Sequence, residues 1–179
     1  METIEFQQLD ETLYYKQLNN GLDVYILPKK GFSKTFVTFT TKYGSVDRTF
    51  VPLGETEPIT VPDGIAHFLE HKMFEKEDGD VFQKFSEVGA QANAFTSFTR
   101  TAYLFSATDH IYKSTETLLN FVQEPYFTEE TVNKEKGIIG QEITMYDDQP
   151  DWRLYFGAIE NMYHNHPVKI DIAGTIESI

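Results

Sequence analysis
The sequence predicts an α+β fold, an antiparallel sheet packed with several helices, and three observations carry that reading. Two β-like runs, Leu13 to Leu18 and Leu22 to Leu27, flank Asn19-Asn20-Gly21. An Asn-Gly pair favours the positive φ of a tight hairpin turn, so successive strands pair antiparallel. Gly64 to Phe74 is an apolar run with no internal breaker, and from Thr128 onward apolar residues recur at helical spacing, so helices follow the strands. With 179 residues, 40% of them apolar and 15% aromatic, the chain has material for one domain with a core.

Each element follows from local chemistry. Lys34 to Tyr43, rich in Thr, Phe and Val, reads as a third strand with Val37, Phe39 and Thr41 on one face. Pro52, Gly54, Pro58 and Pro62 make Arg48 to Asp63 a loop, either a plain connector or a substrate-facing flap. It ends at Asp63, an expected N-cap for the helix over 64–74. A short helix over Val81 to Val88 is bounded by Asp80, with Gln83 three residues on, and by Gly89. Gln91 to Ser97 and Thr101 to Thr108 form a second hairpin, whose first strand is either an interior strand or an exposed edge able to take an extended peptide.

Asp109 is the expected cap of a helix from Ile111 to Gln123 that turns Leu118, Leu119 and Val122 to the core before Pro125. Thr128 caps the next helix, which carries Glu129 and Glu130 in its first turn and runs to about Asp147 before Pro150. Trp152, Tyr155, Phe156, Ile159 and Tyr163 then form an aromatic stripe expected in the core. Val168, Ile170 and Ile172 alternate as in a strand, and Thr175 with Glu177 reads as a helix start.

The chemistry lies in His67-Phe68-Leu69-Glu70-His71. In a helix, residues i, i+3 and i+4 share a side, so His67, Glu70 and His71 converge. Ile65, Phe68, Leu69, Met73 and Phe74 surround them, and polar groups so placed need partners. A zinc ion would be one: imidazole is a good zinc ligand, and a carboxylate held back from the ion can take a proton from an activated water. A single helical histidine is usually an ordinary hydrogen-bonded residue; two with a glutamate in this order are not.

Catalytic zinc usually has three protein ligands. Val132, Glu135, Ile139, Glu142 and Tyr146 share one stripe, opposite Lys134, Lys136, Gln141 and Thr144. Two glutamates thus lie on the apolar face, where unpaired carboxylates are costly. Glu142 can complete the zinc site and Glu135 can support it.

Three pieces in this order, Gly64-Ile-Ala-His67-Phe-Leu-Glu70-His71, Gly89-Ala-Gln-Ala-Asn93-Ala94-Phe-Thr-Ser97 and Glu135-Lys-Gly-Ile-Ile-Gly-Gln-Glu142, resemble the pitrilysin, insulinase and mitochondrial processing peptidase family of zinc metallopeptidases. The order H-x-x-E-H is the inverted zincin signature. The resemblance covers essentially the whole chain, including Leu18-Asn-Asn-Gly-Leu22. It implies that His67, His71 and Glu142 bind zinc, that Glu70 is the general base, and that Glu135 supports the site. It further implies that Asn93 and Ala94 lie on a strand edge that holds a peptide substrate.

There are two departures. Many relatives follow the motif with a Gly-Thr pair, whereas this chain reads Phe74-Glu-Lys-Glu-Asp-Gly79-Asp80. Family members also have at least two α/β modules, or a partner chain, and a later module supplies groups that stabilise the tetrahedral intermediate. Residues 1–179 are therefore expected to be an N-terminal, zinc-binding catalytic module truncated at its C-terminus. The expected partners are a peptide substrate and a missing C-terminal module or paralogous chain.

The absence of cysteine removes thiolate ligands, disulfides and cysteine catalysis. A net charge of −13 argues against nucleic acid; it serves either solubility or attraction of basic peptides. No run approaches a membrane span and no leader pattern precedes Tyr15, so a cytoplasmic protein is the expectation. The leading function is a zinc endopeptidase. A non-catalytic zinc-bearing scaffold uses the same ligands but has no need of Glu70. A di-iron protein would need paired Glu-x-x-His helices, which this chain does not offer. His164, Asn165, His166 and Pro167 read as a loop, and His110 has no visible partner.

Overall fold
A computed structural model describes residues 1–179, which divide into two compact units, 1–34 and 35–179. The first unit is a three-stranded antiparallel sheet of β1 (Glu2–Phe6), β2 (Glu11–Gln17) and β3 (Asp23–Ile26) in that order. The expected hairpin is β2–β3, with Gln17 opposite Asp23 and Tyr14 opposite Ile26. Gly21 takes φ 88° at the turn, the conformation for which Gly carries no Cβ penalty. Tyr15 and Tyr25 face each other across the ladder, ring centroids 4.9 Å apart. The polar start proves to be a strand as well, since Glu2 to Phe6 pairs along β2.

The second unit contains β4 (Thr35–Thr41), short ribbon strands β5 (Thr49–Phe50) and β6 (Ile59–Thr60), helix α1 (Ile65–Phe74), ribbon strands β7 (Glu75–Lys76) and β8 (Gly79–Asp80), and helix α2 (Val81–Ser86). The hairpin β9 (Gln91–Thr96) and β10 (Thr101–Ala107) follows, then α3 (Ile111–Phe121), α4 (Glu129–Asp147) and α5 (Pro150–Met162). Its main sheet has the order β4-β10-β9, all antiparallel. The central strand, β10, is almost continuously buried, whereas β4 and β9 alternate. Phe74, Val81, Phe85, Tyr103, Phe105 and Phe121 lead the core between this sheet and helices α1 to α3. The α+β reading thus holds, as two three-stranded antiparallel sheets and two short ribbons rather than one sheet.

Several local expectations are corrected. Asp63 does not cap α1: the cap is Gly64 at φ 85°, with no side-chain bond, because Arg48 engages the Asp63 carboxylate. Asp109 does not cap α3 either; its carboxylate turns back to the His110 N–H at 2.6 Å, and His110 is the cap at φ 53°. On α3 the buried residues are Ser114, Leu118 and Phe121, with Leu119 exposed. Gln83 takes no part in the cap of α2, where Asp80 alone accepts the Phe82 N–H. The loop over 48–63 contains the small β5–β6 ribbon.

On α5 no residue is fully buried, and Tyr155 and Tyr163 are exposed. Its stripe rests on one side only, where Trp152 stacks on Tyr146 at 4.6 Å. Residues 167–172 make no strand: Pro167–Lys169 is a 3-10 turn, and side chains take the backbone donors that a neighbouring strand would need. His166 Nδ1 accepts the Val168 N–H and Asp171 Oδ1 the Ala173 N–H. After Thr175 the chain closes a single turn. The long helix α4, by contrast, begins as the sequence predicts, with Thr128 and Thr131 capping reciprocally.

Candidate active site
Helix α1 enters the fold where its cap glycine touches the last segment of the chain. A Cβ on Gly64 would collide with the Ala173 carbonyl, and one on Gly174 with that of Asp63, so both positions require glycine on steric as well as conformational grounds. Ala66, Phe68, Glu70, Lys72 and Phe74 are buried. His67 and His71, which share a side of the helix with Glu70, are half-buried, their rings 4.5 Å apart and steeply inclined. On α4, Glu135 and Ile139 are buried and Val132, Glu142 and Tyr146 half-buried, while Lys134, Lys136, Gln141 and Thr144 are exposed. The stripe read from periodicity is thus the packed face.

The two helices bring the expected side chains together. His67 Nε2 lies 3.7 Å from Glu142 Oε1, and His71 Nε2 lies 3.5 Å from Glu142 Oε2. One donor atom from each of the three residues falls within 4.8 Å of the others. His71 is oriented from behind by Glu135, whose Oε1 is 2.9 Å from His71 Nδ1. Glu70 stands apart from this trio and accepts a hydrogen bond from Thr96 Oγ1 at 2.8 Å. Asn93 and Ala94 lie on β9, the edge strand, with β10 on one side of it in the sheet. The Ala94 N–H is held by the Asn93 side-chain oxygen at 2.9 Å.

Burial sets the electrostatics. It lowers the His67 pKa to about 4, with His71 adding repulsion, so this imidazole is neutral at pH 7 with a lone pair to offer. Its Nδ1 is buried with no partner. Burial raises the Glu70 carboxyl above the usual carboxylate range, against the opposing pull of the Thr96 bond. A raised carboxyl takes up a proton more readily than an ordinary one, as a general base requires.

The donor set suits zinc. Ligands ~2.0–2.1 Å from a tetrahedral ion stand about 3.3–3.4 Å from one another, close to the two separations from Glu142. Hollows open on both sides of the site: one of about 250 Å³ toward Phe95, Trp152 and Asp171, another of about 550 Å³ toward Asn93, Phe82 and Ile138. Glu70, His71 and Ala94 line both.

Sequence reasoning missed Thr96 and Trp152. The period-2 alternation of β9 places Thr96 on the same face as Ala94, and that signal was sufficient to find it. Trp152 was read as core; instead it borders the smaller hollow, its Nε1 donating to Asp171 Oδ2 at 2.9 Å.

An α+β module in which an H-x-x-E-H helix meets a glutamate-bearing helix over an edge strand defines an inverted-zincin architecture. The chain belongs to the insulinase family, peptidase family M16, whose model matches residues 51–176. It is 72% identical over its whole length to a Bacillus subtilis protein named uncharacterized zinc protease YmfH, of which it covers 42%. A crystal structure of an M16-like peptidase from Alicyclobacillus acidocaldarius superimposes with a TM-score of 0.89 at 50% identity, over 98% of this chain and 40% of that one. Pitrilysin shares the fold, with a TM-score of 0.75 at 19% identity over 99% of this chain and 19% of its own. The chain therefore spans about two fifths of the length of the first two relatives. No helix is long and apolar enough to cross a membrane.

Proposed function
We propose that residues 1–179 form the zinc-binding catalytic module of an endopeptidase that acts on peptides or small unfolded polypeptides. One observation carries the reading: His67, His71 and Glu142 converge from two helices while Glu70 is buried next to them but outside the cluster. His67 and His71, whose Nε2 atoms face the Glu142 carboxylate, would hold the ion together with it, and Glu135 would fix His71 through Nδ1. The bound ion supplies Lewis acidity toward water and the scissile carbonyl. Glu70 accepts the proton of the attacking water and returns it to the leaving amine. Burial, which raises its carboxyl, favours the acceptance, while the Thr96 bond pulls the other way and holds the carboxylate in place. Along β9, an extended substrate pairs at Asn93 and Ala94 as an added strand, displacing the internal bond from Ala94 to Asn93. Groups that stabilise the tetrahedral intermediate come from a further module or a partner chain.

Elemental analysis of the full-length protein after dialysis, beside its Glu142→Ala and Glu70→Gln variants, tests this. One zinc per chain is expected, lost or weakened in Glu142→Ala and kept in Glu70→Gln, with peptide cleavage abolished in both. Cleavage undiminished by Glu70→Gln would refute the mechanism, and a wild type that holds zinc but cleaves no peptide would be a zinc-bearing scaffold.

A further inference from the structure
The histidine helix carries a charge that the chemistry above does not use. Lys72, next to His71, is completely buried. Its ammonium donates to Glu75 Oε2 at 2.5 Å and lies 6.0 Å from the centre of the Phe127 ring. Glu75 turns its other oxygen, Oε1, to Lys134 at 3.5 Å. Lys134 directly precedes Glu135 on α4, and Glu135 holds His71. Two polar links thus run side by side between the helices, His71 to Glu135 and Lys72 through Glu75 to Lys134.

Stability does not account for a buried ammonium there. Taking a charge out of water is costly, and a packed apolar side chain of similar volume in place of a buried ion pair is often neutral or stabilising. What the charged link does determine is placement. Glu142 lies two turns beyond Glu135 on the same stripe, so a rotation or slide of α4 moves both carboxylates relative to the two histidines at once. Apolar contacts such as that of Ile139 are non-directional and tolerate such movement. The Glu75 carboxylate does not: it is held by the buried Lys72 through a hydrogen bond and meets Lys134 of α4 as an ion pair of limited reach.

We infer that Lys72, acting through Glu75 and Lys134, is a positioning residue that fixes α4 against α1 so that Glu135 and Glu142 stand opposite His67 and His71. The inference rests on the zinc reading and adds the device that aligns its ligands.

The test uses Lys72→Met and Lys134→Ala in the full-length protein, with zinc affinity measured by chelator competition, visible absorption of the cobalt-loaded protein, and thermal unfolding of the metal-free form. Lys72→Met is expected to weaken zinc roughly 10- to 100-fold, the usual effect of removing a group that orients a ligand. It should also alter the cobalt spectrum while leaving the metal-free unfolding temperature unchanged or higher. Lys134 is exposed, with 64% of its side chain accessible, so its removal leaves folding intact; a smaller loss of affinity is expected and carries the test if Lys72→Met does not fold. Wild-type affinity and spectrum in Lys134→Ala and in a folded Lys72→Met would overturn the inference alone. A wild type that binds no zinc would overturn the metal reading and this inference with it.

Discussion

Acid should destabilise the metal-free chain through His67, by an amount that the buried ring sets. Its pKa falls from 6.5 to about 4 on folding. Between those values the unfolded chain binds a proton that the folded chain refuses, so stability rises with pH across the window and is lost as pH falls from 6.5 toward 4. At ~1.36 kcal/mol per pH unit, the His67 contribution is roughly 3 kcal/mol. Glu70 works in the opposite sense: its carboxyl is raised, so the folded chain binds that proton more readily and gains stability as pH falls through the same region. Urea unfolding of the chelator-treated chain at pH 7, 5.5 and 4, beside His67→Gln, isolates the histidine. The wild type should lose about 3 kcal/mol more than the variant between pH 7 and 4. Parallel pH dependences would show that His67 is solvated and free to protonate, and would remove the argument that burial keeps it ready for a metal.

Other consequences can be checked separately. Glu135→Gln keeps the shape but weakens the grip on His71 Nδ1, and zinc affinity by chelator competition should fall ~10- to 100-fold. Thr96→Val removes the donor that holds the Glu70 carboxylate; the acid limb of the pH–rate profile for peptide cleavage should move to higher pH, because the charged form loses its hydrogen bond. Gly64→Ala forces a Cβ into the Ala173 carbonyl at φ 85° and should cost on the order of 2 kcal/mol or more in chemical denaturation, whereas Gly79→Ala, with open space around it, should cost less.

The parts of the fold and site written in short-range signals were legible in the sequence. Asn20-Gly21 announces the β2–β3 turn, and Thr128 the start of α4. The stripe Val132, Glu135, Ile139, Glu142, Tyr146 identifies the face that meets α1 and puts both glutamates on it, while the grouping of Glu142 with His67 and His71 is what the family resemblance implied. What depends on distant atoms was not legible. Asp63 and Asp109 have the chemistry of N-caps, but Arg48 claims one and the left-handed backbone at His110 displaces the other. Periodicity showed that α5 has an aromatic side without showing what lies over it. Nor could sequence reveal that Lys72, an ordinary surface residue by type, is sealed beneath the histidine helix.

The contact between the two glycine corners bears on the order in which the site is built. The entry of α1 is gauged against Ala173 and Gly174, and Ser178 Oγ donates to the Asp63 carbonyl at 3.0 Å. The histidines leave the ribosome early, yet the seat of their helix is made of residues translated far later. Local pairing such as the hairpins can form at once, but a closure of this sequence span waits for the distant segment and carries the loop entropy of waiting. A nascent chain stalled before residue 171 would hold both histidines and Glu142 and still lack the stop that sets how deeply their helix sits. The His67, His71 and Glu142 cluster is thereby expected to be set only after residues 171–178 have been made, when most of residues 1–179 have already emerged.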